Sequence, residues 1–501
     1  MLKENIRNEL NQTYTQNYDL AYKSTLNYNL DFFALASSLR NGEYKDYPKL
    51  KELLDRAYTE DKILAIKNIF FLRDVRNGNK ERDLGRFALT YVANNDPKVF
   101  KKIIPYIAEI GRWDDLVQIL CATQQEKAKR DIAKVLYKQL QKDVKSKTPS
   151  LLAKWLPTVD AGKKANAQAK IIVKQMNIDK YVYHRMVKDI RKKLNLLETK
   201  IVEENFEKID YSKVASQAML KNKSLFLNKD SDHFKEYLKD LKNNKITAKT
   251  QTITPPQLIK QALRKPIIQN FRLNESLTKE EKDFINLNWR DLKRNYTDKN
   301  IIVVRDGSAS MWGNPIIAAS ALAIYSSECL KGQFKDSFIT FSSRPELVEF
   351  PKNAKTLTDK IQFLQSFDDW STTDIEKVYN TILKASIGIP EEEQIDTIVI
   401  VSDMQFNYVE SSEKESTYEN AKRKFEQNNV KFPHIVFWNV DCKTISTPAS
   451  NNDNVSLVSG FSTELFEEII KNDVKSPEER MLNVLSRYDY LNKIFKKFAT
   501  Q

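Results

Sequence analysis

Along residues 1–295 apolar side chains recur at three- and four-residue spacing, so the expected elements are helices, among them 62–76, 84–94, 97–110, 116–120 and 134–142. Strand-like alternation hardly interrupts them. Short breaks rich in Gly, Asn, Asp or Pro separate the segments, which suggests stacked antiparallel helices that each bury one face. No fixed sequence period accompanies this stacking. Residues 239–249 and 252–256 are polar and contain proline, as a loop before a further helix at 257–264 would be.

From residue 299 the texture changes. Apolar, β-branched runs at 301–304, 337–341, 397–401 and 434–440 predict strands, and 346–350 predicts one more, antiparallel to the others. Helical patterns at 315–330, 356–367, 374–387 and 415–428 lie between them. Strands that alternate with helices imply a parallel sheet covered on both faces, whose strands read as continuous apolar runs. The expected plan is multidomain: an all-α helical-repeat part over 1–295, an α/β Rossmann-like domain over 296–475, and a closing C-terminal helix over 476–501.

Composition narrows the function classes. The chain is 41% hydrophobic and 30% charged, with 10 glycines, as a globular protein with a sizeable core would be. Cys121, Cys329 and Cys442 lie far apart and form no CxxC, so neither a disulfide framework nor a thiol metal site is expected. His184, His233 and His434 are equally scattered, and each is read as a surface or core residue. The first ten residues are polar and no apolar run is long enough to cross a membrane, so a cytoplasmic protein is expected. The net charge of +14 is uneven. Residues 296–501 carry 23 Lys and Arg against 30 Asp and Glu, leaving 58 against 37 in residues 1–295. So basic a part attracts phosphate backbones, or serves solubility alone.

The sharpest local signal is Ile301-Ile302-Val303-Val304-Arg305-Asp306-Gly307-Ser308-Ala309-Ser310. A buried strand runs directly into D-x-S-x-S and then a helix. The ends of parallel strands are where such sheets bind ligands, and a tight loop there aims one carboxylate and two hydroxyls at one point. Thr373, just before a helix, and Asp403, at the end of the apolar run 398–401, add two oxygens at the same edge. Hard oxygen donors of this kind suit Mg²⁺ or another divalent cation. Five protein oxygens leave a position in an octahedral shell for an outside acidic group. The alternative is that Ser308 and Ser310 are ordinary turn and capping residues. Ser402 and Asp374 are read as supporting or capping groups.

With Thr373 and Asp403 in order after it, D-x-S-x-S resembles the metal-ion-dependent adhesion site of von Willebrand factor A domains, over about residues 297–470. The resemblance implies Asp306, Ser308, Ser310, Thr373 and Asp403 as ligands. Arg305 departs from that pattern, since a small or apolar residue is commoner there. The helical part has its own resemblance. Leu72-Arg73-Asp74-Val75-Arg76-Asn77-Gly78-Asn79-Lys80-Glu81-Arg82 and Gly111-Arg112-Trp113-Asp114 resemble segments of TROVE domains. Leu151–Pro157, Glu198-Thr199-Lys200, Lys213 and Ala218–Lys221 fit the same pattern. A TROVE-like part followed by a von Willebrand A domain is the plan of the Ro family, and this chain resembles most the Ro-like proteins of bacteria and phages. The resemblance implies a HEAT-like helical ring that binds structured and single-stranded RNA.

From the residues alone, Arg73, Arg76, Lys80, Arg82 and Arg86 cluster in one segment. The first three would share a helical face if the helix persists, and arginine suits phosphate. With Arg112, Lys154, Lys200 and Lys221 they are the candidate RNA contacts. The alternative is a solvated structural face, with Arg112 and Asp114 paired internally and Trp113 and Trp155 in the core. The expected function is a non-enzymatic, monomeric RNA-binding protein with a Mg²⁺ site. The alternative is an adaptor whose metal captures an acidic partner residue.

Overall fold

The computed structural model describes every residue except 1–6, 8, 42–43, 160–161, 266–270, 342–343, 368–373, 408–416, 452–453, 472–475 and 497–501. Contacts divide the chain into two compact units, Met1–Asn68 with Thr250–Tyr490, and Ile69–Lys249 with Leu491–Gln501. The first 68 residues and residues 250–295 thus group with the sheet, across the change of texture at 295/296.

The first unit is built on a six-stranded sheet: β1 (Ile301–Asp306), β2 (Ser337–Phe341), β3 (Leu347–Glu349), β4 (Thr397–Ser402), β5 (His434–Asn439) and β6 (Val455–Ser459). Their order is β6-β5-β4-β1-β2-β3, all parallel except β3, which runs antiparallel to β2. Strand order reverses between β1 and β4, so the crevice outside their carboxyl ends is where a doubly wound sheet offers a ligand site. Every residue of β1 is buried, as a central parallel strand requires. Helix Asn314–Cys329 packs on it. That helix is apolar or small almost all round, with Ala318, Ala319, Ser320, Ala321 and Ala323 buried, and so it sits fully inside.

β6 was not legible as a strand. Its sequence, Val-Ser-Leu-Val-Ser, alternates with serines that are nonetheless buried. Ser456 Oγ accepts a hydrogen bond from Arg480 Nε at 2.6 Å, so tertiary partners, not apolarity, satisfy the strand. Its open edge is covered by helix Tyr28–Leu35, and Ser459 Oγ donates to Phe33 O.

The expectation of an all-helical N-terminal part is corrected here. Gln12–Tyr14 pairs with Leu20–Tyr22 in a hairpin, and Arg40–Asn41 pairs with Tyr44–Lys45. The first hairpin is too short to leave a periodic signature. It is held from outside, since the backbones of Tyr22 and Thr447 exchange two hydrogen bonds of 2.9 Å each. In its turn Asp19 is buried and accepts from Thr417 Oγ1 at 2.8 Å. Burial, with the Glu376 charge adding to it, pushes the Asp19 carboxyl up to about 6. A carboxyl raised in the folded state stabilises fully below its unfolded pKa and loses that contribution as pH rises through about 6. Asp19→Asn should therefore raise stability by up to about 3 kcal/mol near neutral pH and change nothing near pH 4. Urea unfolding at the two pH values checks this; an equal effect at both would contradict it.

In the second unit the described residues form helices and short 3-10 turns and no strands. Helix Pro97–Ile110 shows the rule. Asp96 caps it by accepting from Val99 N, Pro97 opens it, and Phe100, Ile103, Ile104, Ile107 and Ile110 form its buried stripe. Helices Lys163–Met176 and Lys180–Leu194 end on Asn177 and Asn195 in the left-handed conformation. Residues 69–249 alone carry 39 Lys and Arg against 22 Asp and Glu, so the basic excess belongs to this unit. No helix among the described residues is long and apolar enough to cross a membrane.

Candidate metal centre

β1 and β4 deliver the two carboxylates. Asp306, the last residue of β1, is fully buried. Its Oδ1 accepts from Ser308 N at 2.9 Å and its Oδ2 from Ser402 Oγ at 2.6 Å. The first bond closes the turn of D-x-S-x-S. The second ties the end of β1 to the end of β4. Ser308 and Ser310 bring their hydroxyl oxygens within 3.1 Å of each other, with Ser310 on the exposed side of the loop.

Asp403 follows β4 and is 1% exposed. Its Oδ1 accepts from Gln405 N at 3.2 Å, whereas its Oδ2 is buried with no hydrogen-bond partner. Burial pushes the Asp403 carboxyl up to about 7; the Asp306 charge adds to the rise and the Ser310 hydroxyl opposes it. Burial likewise raises Asp306, against the hydroxyl of Ser402 and the amide of Ser308. Two buried carboxylates thus act on each other, beside the hydroxyls of Ser308 and Ser310. A buried, orphaned carboxylate oxygen is costly unless a cation meets it.

Four of the five expected ligands, Asp306, Ser308, Ser310 and Asp403, come together. Thr373 lies outside the described residues. Asp374 caps the next helix by accepting from Lys377 N at 3.1 Å. Among the described residues no three His, Cys, Asp or Glu side chains group as a metal site would need.

Sequence reasoning missed what fixes the loop after Asp403. Met404 takes a positive φ of 62°, a strained conformation for its type. The N-terminal hairpin turn grips the residues that follow: Thr15 Oγ1 donates to Phe406 O at 2.8 Å, Gln16 N to Gln405 Oε1 at 2.8 Å, and Asn17 Nδ2 to Gln405 O at 2.7 Å. These partners stand almost 400 residues apart in sequence, and no local pattern announces them.

The candidate RNA-contact residues all lie in the second unit, and they do not form one face. Helix Lys62–Arg73 ends at Arg73, so the expected stripe of Arg73, Arg76 and Lys80 does not exist. Asp74 Oδ1 accepts from the amides of Arg76 and Asn77 and turns the chain out of the helix. Arg73 is 1% exposed, and its Nε and Nη2 reach Asp115 Oδ2 at 3.0 and 2.7 Å. It is a core residue and not a surface cation. Arg86 donates Nε to Asp115 Oδ1 at 2.7 Å and pairs with Asp114, so the partner of Asp114 is Arg86 rather than Arg112.

Glycines make room for this latch. A Cβ on Gly85 would stand 2.8 Å from the Arg73 side chain, and one on Gly111 would stand 2.2 Å from Asp115 Oδ2. The Arg112 guanidinium lies 5.8 Å from the centre of the Trp155 ring. Lys154 pairs with Glu198 at 2.7 Å, and Lys200 Nζ donates to Lys208 O at 2.7 Å. Lys80 is half-buried in a left-handed conformation, φ 62°. Arg76, bonded to Glu109 O, Arg82, paired with Asp83, and Lys221 are the exposed members of the set.

A family model described as "Domain of unknown function (DUF2828)" matches residues 15–168 and 161–300. A second, "Domain of unknown function (DUF7788)", matches residues 300–497. The "Uncharacterized protein L728" of Acanthamoeba polyphaga mimivirus is 29% identical over 532 residues, spanning 97% of this chain and 89% of that protein. Among solved structures, the crystal structure of the Deinococcus radiodurans RO (RSR) protein aligns with 92% of this chain and 100% of its own, at 14% identity and a TM-score of 0.41.

Proposed function

The chain belongs to the DUF2828 family, a domain of unknown function, and on that footing we propose that it is a non-catalytic RNA-binding protein with a divalent-cation centre in its sheet-bearing unit. The buried, orphaned Asp403 Oδ2 opposite Asp306 carries the metal part of the reading. Asp306, Ser308, Ser310 and Asp403, with Thr373 as the resemblance implies, would hold Mg²⁺. The ion would present positive charge to an oxygen donor arriving from outside. Asp306 and Asp403 would supply the charged oxygens, Ser402 orients Asp306, and Gln405 with the hairpin turn holds Asp403 in place.

RNA binding is supported by the concentration of basic charge in residues 69–249 and by the TROVE-like motifs there. Arg76, Arg82 and Lys221 are its surface contacts, and the Arg73 latch shapes the turn that carries Arg76 and Arg82. Neutralising phosphates releases counterions, and three contacts on a single strand give a slope near −2, so affinity should fall by on the order of 20-fold between roughly 50 and 200 mM salt. Mobility shift of a single-stranded RNA across that range checks it, with an Arg76, Arg82 and Lys221 triple replacement by Gln expected to flatten the slope. Absence of any shift at low salt would end the reading.

A second reading follows from the shell that the described donors leave incomplete: an Asp or Glu of a partner protein completes it. Pull-down with and without EDTA separates the two. A protein partner lost with EDTA, with RNA retained, would favour capture of an acidic residue.

A further inference from the structure

Helix Glu126–Lys145, in the second unit, carries a surface that neither reading above uses. It buries Ala128, Ile132, Ala133, Leu136 and Leu140 on one side. On the other side Lys127, Arg130, Lys134, Lys138, Lys142 and Lys145 are all exposed. At 3.6 residues per turn these six fall within about a third of the helix circumference. Lys134, Lys138 and Lys142 follow one another at a rise of about 6 Å, and the stripe runs about 27 Å from Lys127 to Lys145. That step is comparable to the one between successive phosphates of a nucleic-acid strand.

The stripe is unpaired. Among the described residues its five lysines make no hydrogen bond or ion pair, and Arg130 donates to Glu126 O of its own helix at 3.3 Å. The acids of the helix are engaged elsewhere. Glu126 pairs with Lys129 at 2.7 Å and accepts from Gln175 at 2.8 Å. Asp143 is buried and accepts from Gln139 and Ser150. Asp131, half-buried beside the stripe, is the acid that opposes it. Helix Ser231–Lys242 shows the ordinary pattern, with Lys235, Lys239 and Lys242 alternating with Asp232, Glu236 and Asp240. Like charges four residues apart repel one another along a helix, and a bound polyanion relieves that repulsion.

The kind of polyanion follows from what the stripe lacks. Lysine offers a hydrated point charge, which suits phosphates rather than base edges. Holding a single strand takes aromatic faces on which bases stack. The one aromatic of this helix, Tyr137, is half-buried, and the exposed positions among the cations are Gln141 and Val144. A convex row of charge without stacking faces fits the outside of a double helix, whose bases are turned inward. We infer, on the RNA reading above, that helix Glu126–Lys145 docks the phosphate backbone of double-helical RNA and reads it by charge and shape.

The test is mobility shift of the full chain on an RNA duplex of about 16 base pairs and on one of its strands alone, between roughly 50 and 200 mM salt. Lys134→Gln, Lys138→Gln, Lys142→Gln and Lys145→Gln are combined in one variant, since glutamine is as good a helix former as lysine. It should lower duplex affinity at least about tenfold and reduce the salt slope by about 3–4, with single-strand affinity changed less than about threefold. A second variant removes the same charge elsewhere, through Lys235→Gln, Lys239→Gln, Lys242→Gln and Lys249→Gln, all at exposed positions. It should leave duplex affinity within about threefold of the parent. Equal losses in the two variants would mean that net charge alone acts, and a loss of single-strand affinity as large as that of the duplex would mean that the stripe does not select the double helix; either would overturn the proposal. Single-strand binding without duplex binding would overturn it and leave the RNA reading standing. No shift of either RNA would end both.

Discussion

Asp115→Ala is expected to cost about 3–5 kcal/mol and to unfold the basic unit well before the sheet-bearing one. The reason is charge, not lost packing volume. Asp115 is fully buried and meets Arg73 on one oxygen and Arg86 on the other, while Arg112 N donates to it at 2.8 Å and closes the start of helix Trp113–Ala122. Its removal strands the Arg73 guanidinium, itself 1% exposed, without an anion. An uncompensated buried charge is far worse than no charge, so replacing Arg73 by Met and Asp115 by Leu together should recover much of the loss. Arg82→Ala, at an exposed pair, should cost no more than about 0.5 kcal/mol. Urea unfolding of the three variants is the check. An Asp115→Ala protein within about 1 kcal/mol of the parent would mean that the latch holds nothing.

The second large effect concerns pH and the metal together. In the metal-free protein burial raises both Asp306 and Asp403, the latter to about 7. Asp403 therefore contributes stability that is complete below about pH 4 and is lost as pH rises through about 7, and Asp306 acts in the same direction. The shift at Asp403, from 3.8 to about 7, corresponds to a loss on the order of 4 kcal/mol, and Lys443 opposes part of it. Mg²⁺ needs the ionised carboxylates and reverses the dependence. Its stabilising effect should therefore be small near pH 5 and several kcal/mol near pH 8, at a concentration well above its dissociation constant. Unfolding in millimolar Mg²⁺ and in EDTA at the two pH values measures it; a gain independent of pH would contradict the burial of the pair.

Both effects bear on how much the sequence discloses. D-x-S-x-S was legible because its geometry is local: Asp306 and Ser308 are joined by a bond across two residues at the end of an unbroken apolar strand. Asp403 was legible for the same reason, as the stop of a buried run. Gln405 and the hairpin turn were not, since their bonds span 388 to 391 residues and involve no periodic pattern. β6 escaped because its serines are satisfied by the fold itself. The basic cluster misled in a specific way. Counting three and four residues from Arg73 assumed that the helix continued, whereas the chain turns at Asp74. The clue lay in the glycines at 78, 85 and 111 and in the adjacent Asp114 and Asp115. A residue without a side chain beside a charged one is the mark of a charge turned inward.

In the proposed centre two strand ends and one loop make a single cation site. Isothermal titration of the full chain with Mg²⁺ tests it most directly. One ion per chain should saturate it, with binding lost in Asp306→Asn and in Asp403→Asn and unchanged in Asp374→Asn, whose carboxylate caps a helix. Absence of saturable binding by the parent chain, or equal affinity in all three variants, would contradict it.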